Sequence, residues 1–175
     1  RLSNGKDSAL FRSYIAGLAR LLPQVAPMFA PNVNSFRRMR PDSDAPINVQ
    51  WGSDNRSCGL RIPMSDGKNR RIENRLPGAD SNPYLAMAAS LVCGYIGMVE
   101  RMVPPKSVSG SAYNRARTLP RTLEAALDRF SHCKPVKALL GEDFFEVFYA
   151  IKECELFNYQ SVISSWEREH LLLRV

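Results

Sequence analysis

Apolar residues fall into a helical rhythm at the start of the chain. Between residues 7 and 30 they stand at Leu10, Phe11, Tyr14, Ile15, Leu18, Leu21 and Leu22, a spacing that predicts a helix breaking near Pro23, with a second short turn before Pro31. From 32 to 46 the apolar positions thin out and Asn, Ser, Arg, Asp and Pro take over, which predicts an ordered loop. Residues 47–51, 58–62 and 71–76 are short strand candidates, and the turn residues between them predict adjacent antiparallel strands. Asn82-Pro83 opens the strongest helix, running to about Met102. Its body is apolar on nearly every side, which predicts burial, and Ala86, Ala88, Ala89 and Gly94 let neighbouring elements approach closely. A polar connector spans 104–120. Helices are then expected at 122–132 with Thr122 as N-cap, at 136–140 ending on Gly141, at 142–161, and at 165–173. Phe144, Phe145, Val147, Phe148 and Ile151 form a core stripe on the longest of these. The fold class is α+β, with short antiparallel strands over about 47–76 followed by a mainly helical C-terminal half.

Size and cysteine usage narrow the picture. A chain of 175 residues suffices for one domain with a core. No stretch approaches the ~20 consecutive apolar residues of a membrane span. Residues 1–7 carry no apolar core of a signal peptide, and an opening on Arg rather than Met is expected of a piece cut from a longer chain. Cys58, Cys93, Cys133 and Cys154 are widely spaced, and with only His132 and His170 beside them a zinc site lacks ligands. Reduced thiols in a cytoplasmic protein are the simplest account. His132, at a helix end, reads as a surface or capping residue; His170, amid leucines, reads as packing.

Charge adds the chemistry. The net charge is +7, and 18 of the 24 basic residues are Arg. Guanidinium forks suit carboxylate and phosphate. Nucleic acid is the competing reading of such a balance. Against it, Phe36 and Trp51 are too few for a stacking platform, and no helix carries a basic recognition face. Eight arginines crowd between Arg37 and Arg75. On an extended segment Arg71, Glu73 and Arg75 share one face. That trio reads either as a structural ion-pair ladder or as one metal ligand beside two phosphate-binding arginines. Arg56 and Arg61 flank the middle strand, and the loop before it adds Arg38 and Asp44. Guanidiniums on one face repel unless an anion sits among them. A metal, a triphosphate and a carboxylate substrate fit that inventory.

Several motifs then occur in order: Asn34-Ser35-Phe36-Arg37-Arg38, Asp44-Ala45-Pro46, Trp51-Gly52, Asn55-Arg56-Ser57, Arg61-Ile62-Pro63, Arg70-Arg71-Ile72-Glu73-Asn74-Arg75, Asn82-Pro83-Tyr84-Leu85, Leu119-Pro120-Arg121-Thr122-Leu123 and Trp166-Glu167. Each is weak alone, but the ordered series, covering essentially all 175 residues, resembles the C-terminal part of the glutamine synthetase catalytic domain. The resemblance implies an ATP-dependent ligase that joins an amine to the γ-carboxylate of glutamate through a γ-glutamyl phosphate, with Mg²⁺ or Mn²⁺. It implies that Arg38 holds the α-carboxylate of glutamate and that Glu73 ligates metal. It further implies that Arg56, Arg61 and Arg71 contact ATP or the transferring phosphate, Arg56 as a catalytic residue, with Lys68 near the nucleotide, and that Arg75 binds substrate and stabilises the γ-glutamyl phosphate.

Asp44 stands where the family commonly has Glu, as the carboxylate expected to close the site and deprotonate the amine. The shorter side chain leaves room for an amine larger than ammonia. Asn74, the Pro77-Gly78-Ala79-Asp80 turn and Trp166-Glu167-Arg168-Glu169 resemble the γ-glutamylputrescine, or γ-glutamylpolyamine, branch; ammonia-using glutamine synthetase is the alternative. The family implies homo-oligomeric rings, dodecamers among them. Its remaining metal ligands and its N-terminal β-grasp domain are not found here. The chain is therefore expected to be the anion-binding half of the site, inactive alone, with one open sheet edge. A non-catalytic assembly module is the reading of another class.

Overall fold

The computed structural model describes residues 7–41 and 43–174; the opening residues read above as lacking a signal peptide lie, except for Asp7, outside them. Helix α1 (Ala9–Leu21) starts where the Ser8 hydroxyl accepts from the Phe11 amide at 3.2 Å. It ends ahead of Pro23, and a 3₁₀ turn follows at Ala26–Met28, as the spacing predicts. Helix α2 (Val33–Arg37) lies inside the stretch expected to be loop. A single turn is too short to show periodicity, and it is held by tertiary contacts: Phe36 is buried and the Ser35 hydroxyl donates to Asp80 at 2.5 Å.

Strands β1 (Trp51–Ser53), β2 (Leu60–Ile62) and β3 (Glu73–Asn74) form one sheet in that order. β2 and β3 are antiparallel, with Arg61 opposite Glu73. β1 and β2 are parallel, which corrects the expectation of antiparallel neighbours throughout. Three-residue strands rise only about 10 Å, so the short segment 54–59 retraces that distance without a crossover helix. Turn residues announce that the chain bends, not how often it reverses. The connector meets the outer edge of β1, where the Val108 amide donates to Trp51 O at 2.8 Å.

Helix α3 (Pro83–Val99) is capped by Asn82, whose side chain accepts from the Tyr84 and Leu85 amides. It packs on α1 through Gly17, Gly94 and Gly97, where a Cβ would strike the opposite helix. The close approach expected of Gly94 is realised by the Tyr14 ring lying over it, with the Tyr14 hydroxyl donating to Ser90 O at 3.1 Å. Contrary to the expectation of burial all round, α3 leaves Tyr84, Met87, Leu91, Tyr95 and Val99 on an open face. α4 (Leu123–Ser131, capped by Thr122), α5 (Lys134–Leu140) and α6 (Glu142–Gln160) complete the body. Phe130 stacks on Phe145 at 3.9 Å. Of the expected stripe on α6, Phe145 and Phe148 are buried while Val147 and Ile151 face outward.

Helix α7 (Ser165–Leu171) buries none of its residues. His170 is therefore exposed rather than packed, its ring stacked on Trp166. His132 caps α4 on the surface, as expected. No helix among the described residues is long and apolar enough to cross a membrane.

All four cysteines are free thiols; Cys58, Cys93 and Cys133 are buried and Cys154 is exposed. Burial pushes the Cys58 thiol up to about 11 and also raises Cys93 and Cys133. Because the thiolate is the reactive form, an aromatic disulfide reagent at pH 8 is expected to titrate one thiol, Cys154, in the native protein and all four in denaturant. Fast native reaction of more than one thiol would contradict this packing.

Candidate active site

The site begins with strand register. β2 and β3 bring Arg61 directly across from Glu73, and Arg61 Nη1 donates to Glu73 Oε2 at 2.6 Å. The same guanidinium donates to Asp54 Oδ1 from Nη2 at 2.5 Å and from Nε at 3.0 Å. These hydrogen bonds, that to Glu73 foremost, raise the Arg61 pKa above its ordinary value. Arg75 Nε lies 3.6 Å from Glu73 Oε1. Glu73 is thus held between Arg61 and Arg75. The expected trio of Arg71, Glu73 and Arg75 is corrected in one member: Arg71 precedes β3, is exposed, and donates to Asn69 O at 3.3 Å. Alternation along one strand pointed to Arg71, but the pairing of two strands supplies Arg61.

Arg75 also links the ladder to the loop at 40–46. Its Nη2 donates to Asp44 O at 3.0 Å and its Nη1 to Cys58 O at 3.5 Å. Asp44 has φ 56°, the left-handed region that non-glycine residues rarely adopt, and its side chain is exposed. Arg38 donates from Nη2 to Leu76 O at 2.6 Å, just past Arg75. Burial lowers the Arg38 pKa, Asp80 opposes that shift, and Arg75 adds to it, so the two guanidiniums sense one another. Gly78 lies against the Arg38 fork: a Cβ there would stand 3.3 Å from Nη2.

Arg56 occupies the turn after β1, exposed and without a side-chain hydrogen bond or ion pair among the described residues. With Arg61 it lines an open cleft of about 800 Å³, whose other wall is the connector at 108–111. Asn55 fixes that turn, accepting from the Ser57 amide at 3.0 Å and donating to Gly110 O at 2.7 Å. Lys68 is exposed in the turn between β2 and β3, which the Asp66 side chain closes onto the Asn69 amide at 2.9 Å. Arg38, Asp44, Arg56, Arg61, Glu73 and Arg75 are therefore gathered, while among the described residues no hydrogen bond or ion pair joins Arg71 or Lys68 to Glu73.

Metal binding fits less well. Among the described residues no group of three or more His, Cys, Asp or Glu could hold a metal ion. Mg²⁺ requires near-octahedral oxygen ligation, and Glu73 offers one carboxylate already facing two guanidiniums. These residues do not form a metal site by themselves.

The fold is an α+β domain in which Arg61 and Arg75 flank Glu73 and Arg75 also reaches the loop that carries the exposed Asp44. Residues 2–171 match the family described as glutamine synthetase, catalytic domain, and the chain belongs to that family. The gamma-glutamylputrescine synthetase of Escherichia coli (strain K12) is 36% identical over 171 residues, 97% of this chain and 36% of that protein. The gamma-glutamylethanolamide synthetase of Streptomyces coelicolor is 35% identical over 164 residues, 93% of this chain and 35% of that protein. The chain spans about a third of the length of these relatives. Among solved structures, GmaS without ligand superposes with a TM-score of 0.84 at 28% identity, covering 94% of this chain and 38% of that one. A GmaS complex with ADP gives 0.86 at 26% identity, covering 98% and 41%.

Proposed function

We propose that this chain is the C-terminal portion of the catalytic domain of an ATP-dependent ligase that forms a γ-glutamyl amide from glutamate and a small amine. The observation that carries this reading is the run of Arg38, Arg75, Glu73 and Arg61 beside the Asp44 loop, in a chain of the glutamine synthetase family. In the proposed reaction the γ-carboxylate of glutamate attacks the terminal phosphorus of ATP, and ADP leaves. The amine nitrogen then attacks the acyl carbon, its proton passes to Asp44, and phosphate departs. Such steps depend on fixed positive charge and positioning more than on a protein nucleophile.

Arg38 holds the α-carboxylate, and Arg75 stabilises the acyl phosphate. Arg56, Arg61, Arg71 and Lys68 neutralise the nucleotide phosphates. Glu73 orients Arg61 and Arg75 and offers one oxygen donor to the Mg²⁺ or Mn²⁺ that accompanies ATP. Because the described residues lack the rest of a metal site, the 175-residue chain alone is expected to show no ligase activity. Amine-dependent phosphate release from it would overturn that.

For the amine, the proposal is putrescine or a close relative. The exposed Asp44, one methylene shorter than Glu, supports room for an amine larger than ammonia. Relatives named for putrescine, ethanolamide and isopropylamine stand at 36, 35 and 34% identity, and glutamine synthetases at 32–35%, so identity alone does not choose. The test is a substrate screen on the full-length protein, reading phosphate release with ATP, glutamate and ammonia, putrescine, spermidine or ethanolamine. Preference for ammonia would overturn the amine while leaving the ligase; no glutamate-dependent release would overturn both. The open apolar faces of α3 and α7 support a homo-oligomeric parent protein, a ring of the dodecameric kind. Tight, salt-dependent binding of DNA or RNA would favour the rival reading of the basic charge.

A further inference from the structure

The loop at 40–46 leaves the body after Met39 and returns at Ile47. Both of its roots meet one short segment of the connector, residues 117–119. On the returning limb, the Thr118 and Leu119 amides both donate to Ile47 O at 3.2 Å, and the Val49 amide donates to Thr118 Oγ1 at 3.0 Å. On the departing limb the contact is a side chain: Arg117 Nη2 donates to Met39 O. The segment is itself fixed from α4, where Arg129 Nη1 donates to Thr118 O at 2.6 Å. Arg38 adjoins Met39, and the Ser43 hydroxyl joins the loop to the Arg38 and Arg40 carbonyls. The returning limb thus keeps its bonds whatever side chain stands at 117. On the departing limb Arg38 is held to Leu76 O and the Met39 amide to Phe36 O, and the Arg117 guanidinium is the link from that limb to the connector.

Arg117 is an expensive way to join two loops for stability alone. It is half-buried, and burial, reinforced by the nearby Arg121, lowers its pKa. Replacing it by an apolar side chain of similar length removes that desolvation cost but also takes a donor from the carbonyl of buried Met39, so the two effects on stability oppose one another. What an apolar replacement cannot do is hold a carbonyl in place.

We propose that Arg117 is a positioning residue that clamps the departing root of the 40–46 loop and so sets where Arg38 meets the glutamate carboxylate. This rests on the ligase reading above. The experiment pairs kinetics of the full-length protein with hydrogen exchange of the 175-residue chain, comparing wild type, Arg117→Met and Arg117→Lys. Arg117→Met is expected to lower the melting temperature by no more than a few degrees while raising KM for glutamate about tenfold or more, because small misplacements of a binding group are costly. KM for ATP should stay within about twofold, a split that loss of ground-state binding at one substrate predicts. Exchange should accelerate at residues 39–45 and nowhere else. Arg117→Lys, which restores one donor, should recover most of the glutamate affinity.

An unchanged KM for glutamate in Arg117→Met would overturn the proposal. So would equal rises in both KM values with protection lost across the chain, the signature of a merely structural role. If the wild-type protein shows no glutamate-dependent phosphate release, the ligase reading falls. The clamp is then still decided by exchange: local acceleration sustains it, and an unaltered pattern removes it.

Discussion

Arg75→Ala in the full-length protein is expected to lower the rate of glutamate-dependent phosphate release from ATP by about 10²–10³-fold, the usual cost of losing one preorganised donor to developing charge. The size of the effect follows from the number of things this guanidinium joins. It lies 3.6 Å from Glu73, holds the Asp44 carbonyl at 3.0 Å, and electrostatically senses Arg38. Its removal leaves the Asp44 loop without that tether and takes the positive charge that stands between Glu73 and Arg38 from the proposed site. Arg75→Lys keeps a charge but not a fork that reaches two partners, so it should recover only a part of the rate. Arg71→Ala is the control: Arg71 is exposed, and its side chain donates to Asn69 O within its own turn. It should raise KM for ATP while leaving the melting temperature unchanged. Wild-type turnover by Arg75→Ala would remove that residue from the site, and single-turnover phosphate formation is the measurement that decides.

Gly97→Ala carries the largest expected effect on stability. A Cβ at 97 would stand 2.6 Å from Gly17 Cα and closer still to Ser13 O, and one at 17 would stand 2.7 Å from Gly97 Cα. The atoms met are backbone, so relief requires α1 and α3 to separate along their shared contact. Overpacking of this kind costs about 3 kcal/mol, which for a chain of this size lowers Tm by roughly 6–12 °C. Gly94→Ala meets the Tyr14 ring instead, a side chain that can turn aside, and should cost less. Gly110→Ala separates space from backbone strain: nothing lies within 4 Å of its Cβ, yet φ is +85°. Its loss of about 1–2 kcal/mol comes from the left-handed conformation alone. Equal melting temperatures for wild type and Gly97→Ala would mean that the two helices do not approach as described.

The helical half of the chain was legible because its signals are local. Pro23, Thr122 and Gly141 punctuate the helices where capping rules place them. Glu142–Gln160 emerges at its expected length because helical spacing of the apolar positions repeats over several turns. What those patterns could not say is which apolar surface would be covered. Val147, Ile151 and the outer face of α3 are apolar in sequence and open in this chain. Burial is settled by the elements that arrive from elsewhere. The same holds for α2, a single turn stabilised by Asp80 and by the core beneath Phe36.

The site divides along the same line. By itself, the amino-acid sequence determined the inventory: an excess of guanidinium over ammonium, clustered between Arg37 and Arg75, with Asp44 and Glu73 among them and a motif order that resembles one family. Residue type and neighbourhood along the chain suffice for that. Only the tertiary structure decided who faces whom. Glu73 is flanked by Arg61 rather than Arg71 because an antiparallel register, not alternation along one strand, brings side chains opposite. Arg117 reaches Met39 across 78 positions of sequence, and no local pattern announces such a contact. Propensity and periodicity act over one or two turns of chain. The geometry that handles an anion is built from segments that folding brings together from much farther apart.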